Sequence, residues 1–441
     1  MHVNAIIKIF LLKTLFENMK LLGISSPYTS SGKTTITLAL SSMVRNAAVF
    51  KIGPDFIDPG LERSITGYAE NIDRYLEGKN FWKLVCRASN TYDFAIFEGV
   101  MGLYDSGLDF DNSTYYYFKR YRIPHVIVLD VSNMAESAYR VFKGFKNKYT
   151  IGVIINNYYG ERHLNMVIKD FIKNNVKIFG KIPHSENLKM ESRHLGLYTY
   201  LEQENINKKI NEVKKFIDPD IFKDLPEIEC KYEEKISRRN INIAIALDKA
   251  FNFYYQYNLD LLSSIGNVSF FSPINDEYIE NSHFIYIGGG YPEIYKEQLS
   301  NSKRTREWIL DHYYEGKNIY GECGGLMYMM EKIGNFKMLG IFNGYVLENA
   351  GLTLNYTKLF SDENYFIFKK GDTIFGHEYH YSRIYSDEKT ALKVLRGNGI
   401  NGRDGIFKNN AYGSYTHLHF FRYREKLERY LNKIYKQDSN K

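Results

Sequence analysis

The stretch LLGISSPYTSSGKTTITLAL, residues 21–40, decides the fold. Leu21–Ser25 is a short apolar run, Ser26–Gly32 is small and polar, and an amphipathic helical pattern starts at Lys33. Small residues between a strand and a helix let backbone N–H groups close on phosphate oxygens, and the helix N-terminus adds the positive end of its dipole. In such a loop Lys33 reaches the terminal phosphates of ATP and the Thr34 hydroxyl ligates Mg²⁺. Ser30, Ser31, Gly32 and Thr35 complete the expected ATP-binding segment. The full pattern G-x-x-x-x-G-K-[ST] has Gly at its first position, where this chain has Pro27. A Gly-Lys-Thr that merely begins a helix is the plainer reading, and the flanking strand and helix count against it.

Further apolar runs follow at Ala47–Gly53, Asp93–Val100, His125–Val131, Ile151–Asn157 and Lys177–Pro183. They are short, β-branched or aromatic and not alternating, as strands buried on both faces are. Helix-length segments separate them, so the expectation is α/β: a doubly wound parallel sheet. Ligands bind beyond the carboxyl ends of such strands. There, FKIGPDFIDPG (50–60) supplies Lys51, Asp55 and Asp58, and FAIFEGVMGLYDSG (94–107) supplies Glu98 and Asp105. Four acids at two strand ends are more than turn capping requires. One or two of them would hold Mg²⁺ beside Thr34, with Asp55 and Glu98 the first picks, and the others, Asp58 and Asp105, would orient an acceptor or intermediate.

Residues 201–240 are rich in Lys, Glu, Asp and Asn and read as surface helix and charged linker. The α/β pattern then restarts at Asn242–Leu247, Asn267–Phe271, Phe284–Ile287 and Asn318–Tyr320. The expected domains are 20–200 and 241–441, with 1–19 a leader or the product of an upstream start. In the second half, IYGECGGLMYMM (319–330) reads strand, sharp turn, helix, with glycines around Cys323. That elbow presents a nucleophile at a helix N-terminus, where the dipole lowers the thiol pKa. YIGGGYPEIY (286–295) is a second Gly-rich strand end, so the backbone N–H groups of Gly289, Gly290 and Gly324 are the expected oxyanion site. GSYTHLHFF (413–421) offers His417 and His419 as the base, and GHEYHYS (376–382) offers His377 and His380.

The 441 residues are 44% hydrophobic and 25% charged, which excludes a disordered or collagen-like chain. The net charge of +7 suits an anionic substrate but forms no basic stripe of the kind nucleic acid needs. No apolar run is long enough for a membrane span. Three cysteines (Cys86, Cys230, Cys323) cannot pair completely, so a reducing, cytoplasmic setting is expected, with Cys86 and Cys230 ordinary. Aromatic residues reach 16%.

Taken together, SSGKTTITLAL, FKIGPDFIDP, NIDRYL, FEGVMGLYD, SRHLGL, AFNFYY, GGGYPE, GECGGLMYM, GHEYHYS and SYTHLHF occur in the order found in cobyrinic acid a,c-diamide synthases. The chain resembles that family from Leu21 to Phe421. The resemblance implies an ATP-binding domain like that of dethiobiotin synthetase, followed by a class I-type glutaminase domain. It implies that Cys323 attacks the glutamine amide with His417 as base, releasing ammonia that meets an acyl phosphate made by ATP on an acetate side chain of a corrinoid ring. Many class I glutaminases carry Glu two residues after that His; here the place holds His419, so a Cys–His pair without a Glu is expected. Asn156, closing the IGVIIN strand, matches a position that reads adenine in related folds. Phe251, Phe253, Tyr254, Tyr255 and Tyr379 are candidates to pack on the flat macrocycle.

The chain departs from the family pattern at Leu61-Glu62-Arg63, where His is common, and at Asp248-Lys249, where Asp-Glu is common. Both departures bear on the acceptor more than on the chemistry. Nickel sirohydrochlorin and hydrogenobyrinate are alternative acceptors for the same reaction. A P-loop ATPase or ligase with a vestigial glutaminase domain is the alternative of a different kind. Partitioning ATPases carry a signature Lys near the start of the loop, where this chain has Tyr28. The expected partners are small molecules only, with no nucleic acid and no membrane, and a homodimer is left open.

Overall fold

The computed structural model describes residues 18–438 apart from 189, 191, 194–195, 198–200 and 202–204. The expected leader lies outside the described residues up to position 17, and Met19 already stands in the first strand. The side chains of SRHLGL also lie outside them. The chain forms two compact units: Met1–Arg74 with Lys79–Glu234, and Tyr75–Gly78 with Lys235–Lys441.

In the first unit β1 (Met19–Ser25), β2 (Ala47–Ile52), β3 (Ala69–Ile72), β4 (Phe94–Gly99), β5 (His125–Asp130), β6 (Thr150–Tyr158) and β7 (Ile178–Pro183) form a parallel sheet in the order β3-β2-β4-β1-β5-β6-β7. The crossovers are α1 (Lys33–Met43), α2 (Ile57–Thr66), α3 (Trp82–Ser89), α4 (Thr114–Tyr121), α5 (Ser137–Phe145) and α6 (Gly160–Lys173). Strands such as β2, buried at every position, lose apolar surface on both faces, and this burial is the main stabilising term. β3, sequence AENI, lacks an apolar run, and so only the structure reveals it. Because β2, β4 and β1 are neighbours, the loops after β1 and β2 and the end of β4 meet at one edge.

The stretch expected as linker differs from that reading. α7 (Ile206–Lys214) packs on α1, and β8 (Glu227–Ile228) pairs antiparallel with β1, so most of it completes the first unit. Cys230, expected as an ordinary linker thiol, is joined to Cys86 of α3 in a disulfide, with Cα atoms 5.1 Å apart. Cys323 is the free cysteine.

In the second unit β9 (Asn242–Ala246), β10 (Asn267–Phe271), β11 (Phe284–Ile287) and β12 (Asn318–Glu322) continue the parallel pattern. The sheet then extends through β13 (Thr353–Ser361), β14 (Thr373–His380), β15 (Thr390–Arg396), β16 (Arg403–Lys408) and β17 (Ala411–Ser414) in the order β10-β9-β11-β12-β17-β16-β15-β13-β14. β17 is parallel to β12; β13–β16 form the antiparallel part. The helices α8 (Gln256–Ile265), α9 (Lys303–Tyr314), α10 (Gly324–Met329) and α11 (Phe420–Asp438) accompany it.

The aromatic residues are shared between core and surface. Tyr320 stacks on Phe366 in the core with ring centroids 4.0 Å apart, and the half-buried Trp82 stacks on Tyr121 at 3.4 Å. Tyr and Phe bury large areas, and a buried Tyr hydroxyl finds a partner. Phe251, Phe253, Tyr254 and Tyr255 are buried too, which removes them as a platform for a macrocycle in this conformation.

Candidate active site

At the phosphate loop, Ser30 and Gly32 both adopt left-handed backbone, with φ of 60° and 88°. Gly32 is required twice over, since a Cβ there would sit 2.3 Å from the Asn156 amide nitrogen. Asn156, expected at adenine, instead donates that nitrogen to the Ser31 carbonyl at 3.0 Å and braces the loop. Ser31 Oγ donates to Tyr28 O, and Thr35 lies in the first turn of α1. Lys33 Nζ donates to Ser26 Oγ at 3.1 Å. Burial, only partly offset by Glu98, lowers its pKa to about 8, as expected of a cation whose phosphate partner is the substrate.

Thr34 Oγ1 donates to Asp58 Oδ2 at 2.8 Å and to Glu98 Oε1 at 3.0 Å. The same two oxygens receive Lys51 Nζ at 2.5 and 2.6 Å. Burial alone would lower the Lys51 pKa, but Asp58 and Glu98 outweigh it and hold the ammonium well above its usual range. Asp55, the expected ligand, is 3.9 Å from Lys51 and spends Oδ1 on the N–H groups of Ile57 and Asp58 at the start of α2. Burial and the neighbouring Asp58 push its carboxyl up to about 8. Asp58, expected at the acceptor, thus stands beside Thr34, while Asp55, expected at the metal, is turned to the start of α2. Asp105 Oδ2 accepts from Gly102 N at 3.1 Å in the loop after β4.

These donors fit a hard divalent cation. Thr34, Asp58 and Glu98 offer oxygens within one hydrogen-bonded cluster, and the Glu98 side chain is buried. Among the described residues no group of three or more His, Cys, Asp and Glu side chains forms a ready cage. Mg²⁺ held by few protein oxygens together with substrate phosphates needs none. Glu62, noted in sequence only as part of a departure from the family pattern, is buried in the same cluster. Its carboxyl is held far above the usual range, chiefly by burial and then by Glu98 and Asp58, against the pull of Lys51.

In the second unit Cys323 sits between β12 and α10 with φ 50° and ψ −102°, the strained elbow its glycines suggested. The sequence reading expected a lowered thiol pKa. The structure reverses this: burial, then the Glu293 carboxylate, push it up, while the N–H groups of Gly324 and Gly290 pull it down. The resting group is a thiol, donating to Tyr379 O at 3.4 Å, and it needs a base. His417 follows β17, which pairs with β12 so that Glu322 faces Ser414. A Cβ on Gly289 would lie 2.3 Å from His417 Cε1, and one on Gly324 would lie 3.0 Å from Gly290 N. The Gly289–Gly290 turn is thus flanked by His417 on one side and by the Cys323–Gly324 elbow on the other. His417 and His377 exchange backbone hydrogen bonds of 2.7 and 3.1 Å. His377 is buried beside His417 and His380, and its pKa falls to about 3, so it is a neutral neighbour and a poor base. His419 Nε2 lies 3.5 Å from Glu77 Oε1, both fully buried.

Two comparisons with known proteins match this geometry. Residues 22–197 match the family model of a CobQ/CobB/MinD/ParA nucleotide binding domain, and residues 242–425 match that of a CobB/CobQ-like glutamine amidotransferase domain. The cobyrinate a,c-diamide synthase of Saccharolobus solfataricus is 38% identical over 435 residues, which are 93% of this chain and 100% of that one. The chain belongs to the cobyrinate a,c-diamide synthase family. Relatives of the same name from Clostridium acetobutylicum and Methanocaldococcus jannaschii are each 35% identical over 91% of this chain, and over 98% and 96% of their own lengths. The doubly wound nucleotide-binding domain and the glutamine amidotransferase domain expected from sequence are both present. Among the described residues no helix is long and apolar enough to cross a membrane.

Proposed function

We propose that this member of the cobyrinate a,c-diamide synthase family amidates the a- and c-acetate carboxylates of cobyrinate, using ATP and glutamine. The observation that carries the reading is the pairing of two chemistries in one chain: a phosphate loop backed by Lys51, Asp58 and Glu98, and a Cys323 elbow and His417 that flank the Gly289–Gly290 turn. The substrates are small molecules, and the reaction belongs in the cytoplasm, where ATP and glutamine are supplied.

In the first unit Lys33, Lys51 and the loop N–H groups bind the phosphates and balance charge on the transferring phosphoryl group. Thr34, Asp58 and Glu98 would hold Mg²⁺, which supplies neutralisation of the phosphate oxygens when bound. An acceptor carboxylate oxygen attacks the terminal phosphorus, ADP leaves, and an acyl phosphate results. Ammonia then adds to the acyl carbon, phosphate departs with the C–O bond electrons, and a proton is lost. Asp105, whose Oδ2 accepts from Gly102 N in the loop after β4, is assigned to the acceptor or intermediate in this reading.

In the second unit His417 takes the Cys323 proton, and the thiolate adds to the glutamine δ-carbonyl. The C–N bond breaks as ammonia leaves with the proton from His417. Water then hydrolyses the thioester to glutamate. The N–H groups of Gly290 and Gly324 face the sulfur in the resting state and suit the oxyanion.

Cys323→Ala tests the reading. Glutamine-driven synthesis is expected to vanish while ammonium-driven, ATP-dependent synthesis persists. Retained glutamine-driven synthesis would overturn it and favour a ligase with a vestigial glutaminase domain.

A further inference from the structure

The sequence offers no carboxylate in the usual place beside the base, because His419 stands two residues after His417. The fold supplies one from another direction. Glu322, the residue before the nucleophile, points its Oε2 toward His417 Nδ1 at 3.7 Å, and both side chains are buried. Three donors fix this carboxylate. Tyr286 OH donates to Oε2 at 2.7 Å, Tyr320 OH donates to Oε1 at 2.9 Å, and the Leu418 N–H donates to Oε1 at 3.1 Å. Leu418 directly follows His417, so Glu322 holds the backbone that carries the base as well as facing its ring. A buried carboxylate is costly unless hydrogen-bonded, and here each of its oxygens has a phenol donor. Burial, followed by the charge of Glu322 itself, holds both phenols well above their usual range, so they remain donors.

We infer that Glu322 is the positioning residue of the glutaminase, and that the site is a Cys323–His417–Glu322 triad whose carboxylate comes from the nucleophile's own strand. The inference rests on the glutaminase reading of Cys323 and His417. When His417 takes the thiol proton, its ring becomes cationic, and the carboxylate beside Nδ1 opposes that charge. The same carboxylate selects the tautomer with the proton on Nδ1, leaving Nε2 to accept. Separations such as 3.7 Å commonly shorten once substrate binds. Glu322 exchanges no bond and keeps no proton; its part is orientation and electrostatics.

The titratable groups around His417 are Glu322 and Cys323 at the end of β12, His377 on β14, and Glu293, whose charge acts on Cys323. His377 carries no charge in the working range, and Glu322 is the carboxylate that faces the His417 ring.

The test uses the full chain with Glu322→Gln, Glu322→Asp and Cys323→Ala, measuring glutamine hydrolysis across pH and ammonium-driven synthesis. Glu322→Gln is expected to lower the glutaminase kcat by about 10²- to 10⁴-fold, the range in which general-base orientation acts. Its acid limb is expected to move about one pH unit lower, because a base loses its neighbouring anion. Glu322→Asp keeps the charge and is expected to keep the wild-type limb at a reduced kcat. Ammonium-driven synthesis is expected to continue in all three variants, which reports a folded chain. A wild-type kcat in Glu322→Gln, or a lowered kcat with an unmoved limb, overturns the inference. Hydrolysis surviving in Cys323→Ala would instead overturn the glutaminase reading itself, so the two failures are distinct.

Discussion

Adding one methyl group at Gly289 should separate the two activities. Gly289 does not use left-handed backbone, so Ala meets no conformational barrier there. Space is the obstacle. The new Cβ would lie 2.3 Å from His417 Cε1, 3.1 Å from its Nε2 and 3.3 Å from Phe253 Cβ. Carbon atoms rest at about 3.5–4.0 Å, so the imidazole must retreat by about 1 Å or more. It is tethered on its own backbone by the two hydrogen bonds to His377, so the ring must tilt rather than translate with the chain. A displacement of about 1 Å in a reacting group costs about 10²-fold in rate. Gly289→Ala is therefore expected to lose about 100-fold in glutamine hydrolysis and in glutamine-driven amidation. Ammonium-driven amidation should be retained. Overpacking should cost about 1–3 kcal/mol, visible in denaturant unfolding of the second unit. Gly144→Ala is the control: it lies exposed in α5 with nothing within 4 Å of a new Cβ, and should leave both activities alone. If Gly289→Ala hydrolyses glutamine at the wild-type rate, His417 does not serve as base from this position.

Three further outcomes follow from the packing. Asp58→Asn and Glu98→Gln should each raise the Mg²⁺ concentration for half-maximal synthesis by about 10-fold or more, with a smaller change in Asp55→Asn, measured by ADP release against Mg²⁺; an equal or larger Asp55 effect would restore the sequence-based ligand set. The Cys86–Cys230 disulfide spans 144 residues of sequence, and replacing both by Ser should lower stability by about 2–5 kcal/mol, read as a denaturant-midpoint shift of the first unit. His125, His312 and His377 are buried with pKa values lowered to about 4, 4 and 3, burial being the main cause in each. Each is neutral when folded and takes a proton more readily when unfolded, so its contribution is present above pH 6.5 and is lost as pH falls toward the folded value. Each should cost about 2 kcal/mol at pH 5 relative to pH 8, and His377→Asn should flatten the acid limb of a stability-against-pH curve.

The sequence was most legible where local chemistry and fold agree. The apolar run of β2, interrupted only by Lys51, and a Gly-Lys-Thr after β1 can be read without coordinates, since burial on two faces and phosphate binding impose their own residue types. The glycines around Cys323 announced an elbow for the same reason. What was not legible depended on partners distant in sequence. Asp55 and Asp58 are three positions apart, one before α2 and one in its first turn, and only the start of that helix decides which one caps and which turns to Thr34. The charged composition of 201–240 concealed α7, which buries Ile210 and Val213, and β8, which pairs with β1. Glu322 was in plain view beside Cys323, but the alignment of β12 with β17 is what turns it to His417. The thiol pKa was misjudged because a helix N-terminus is visible in sequence, whereas burial and the nearness of Glu293 are not.

The central claim is that one chain takes nitrogen from glutamine and joins it to carboxylates of a tetrapyrrole at the expense of ATP. Mass spectrometry of the acceptor tests it most directly. Purified protein is given Mg-ATP and glutamine labelled with heavy nitrogen at the side-chain amide, with cobyrinate, hydrogenobyrinate or nickel sirohydrochlorin offered separately. The account predicts that cobyrinate passes through a monoamide to a diamide, with the label in both amides and ADP formed in step with each. Amidation confined to another of the three would move the acceptor and leave the chemistry standing. Glutamine hydrolysis and ATP turnover with no amide on any of them would contradict the account.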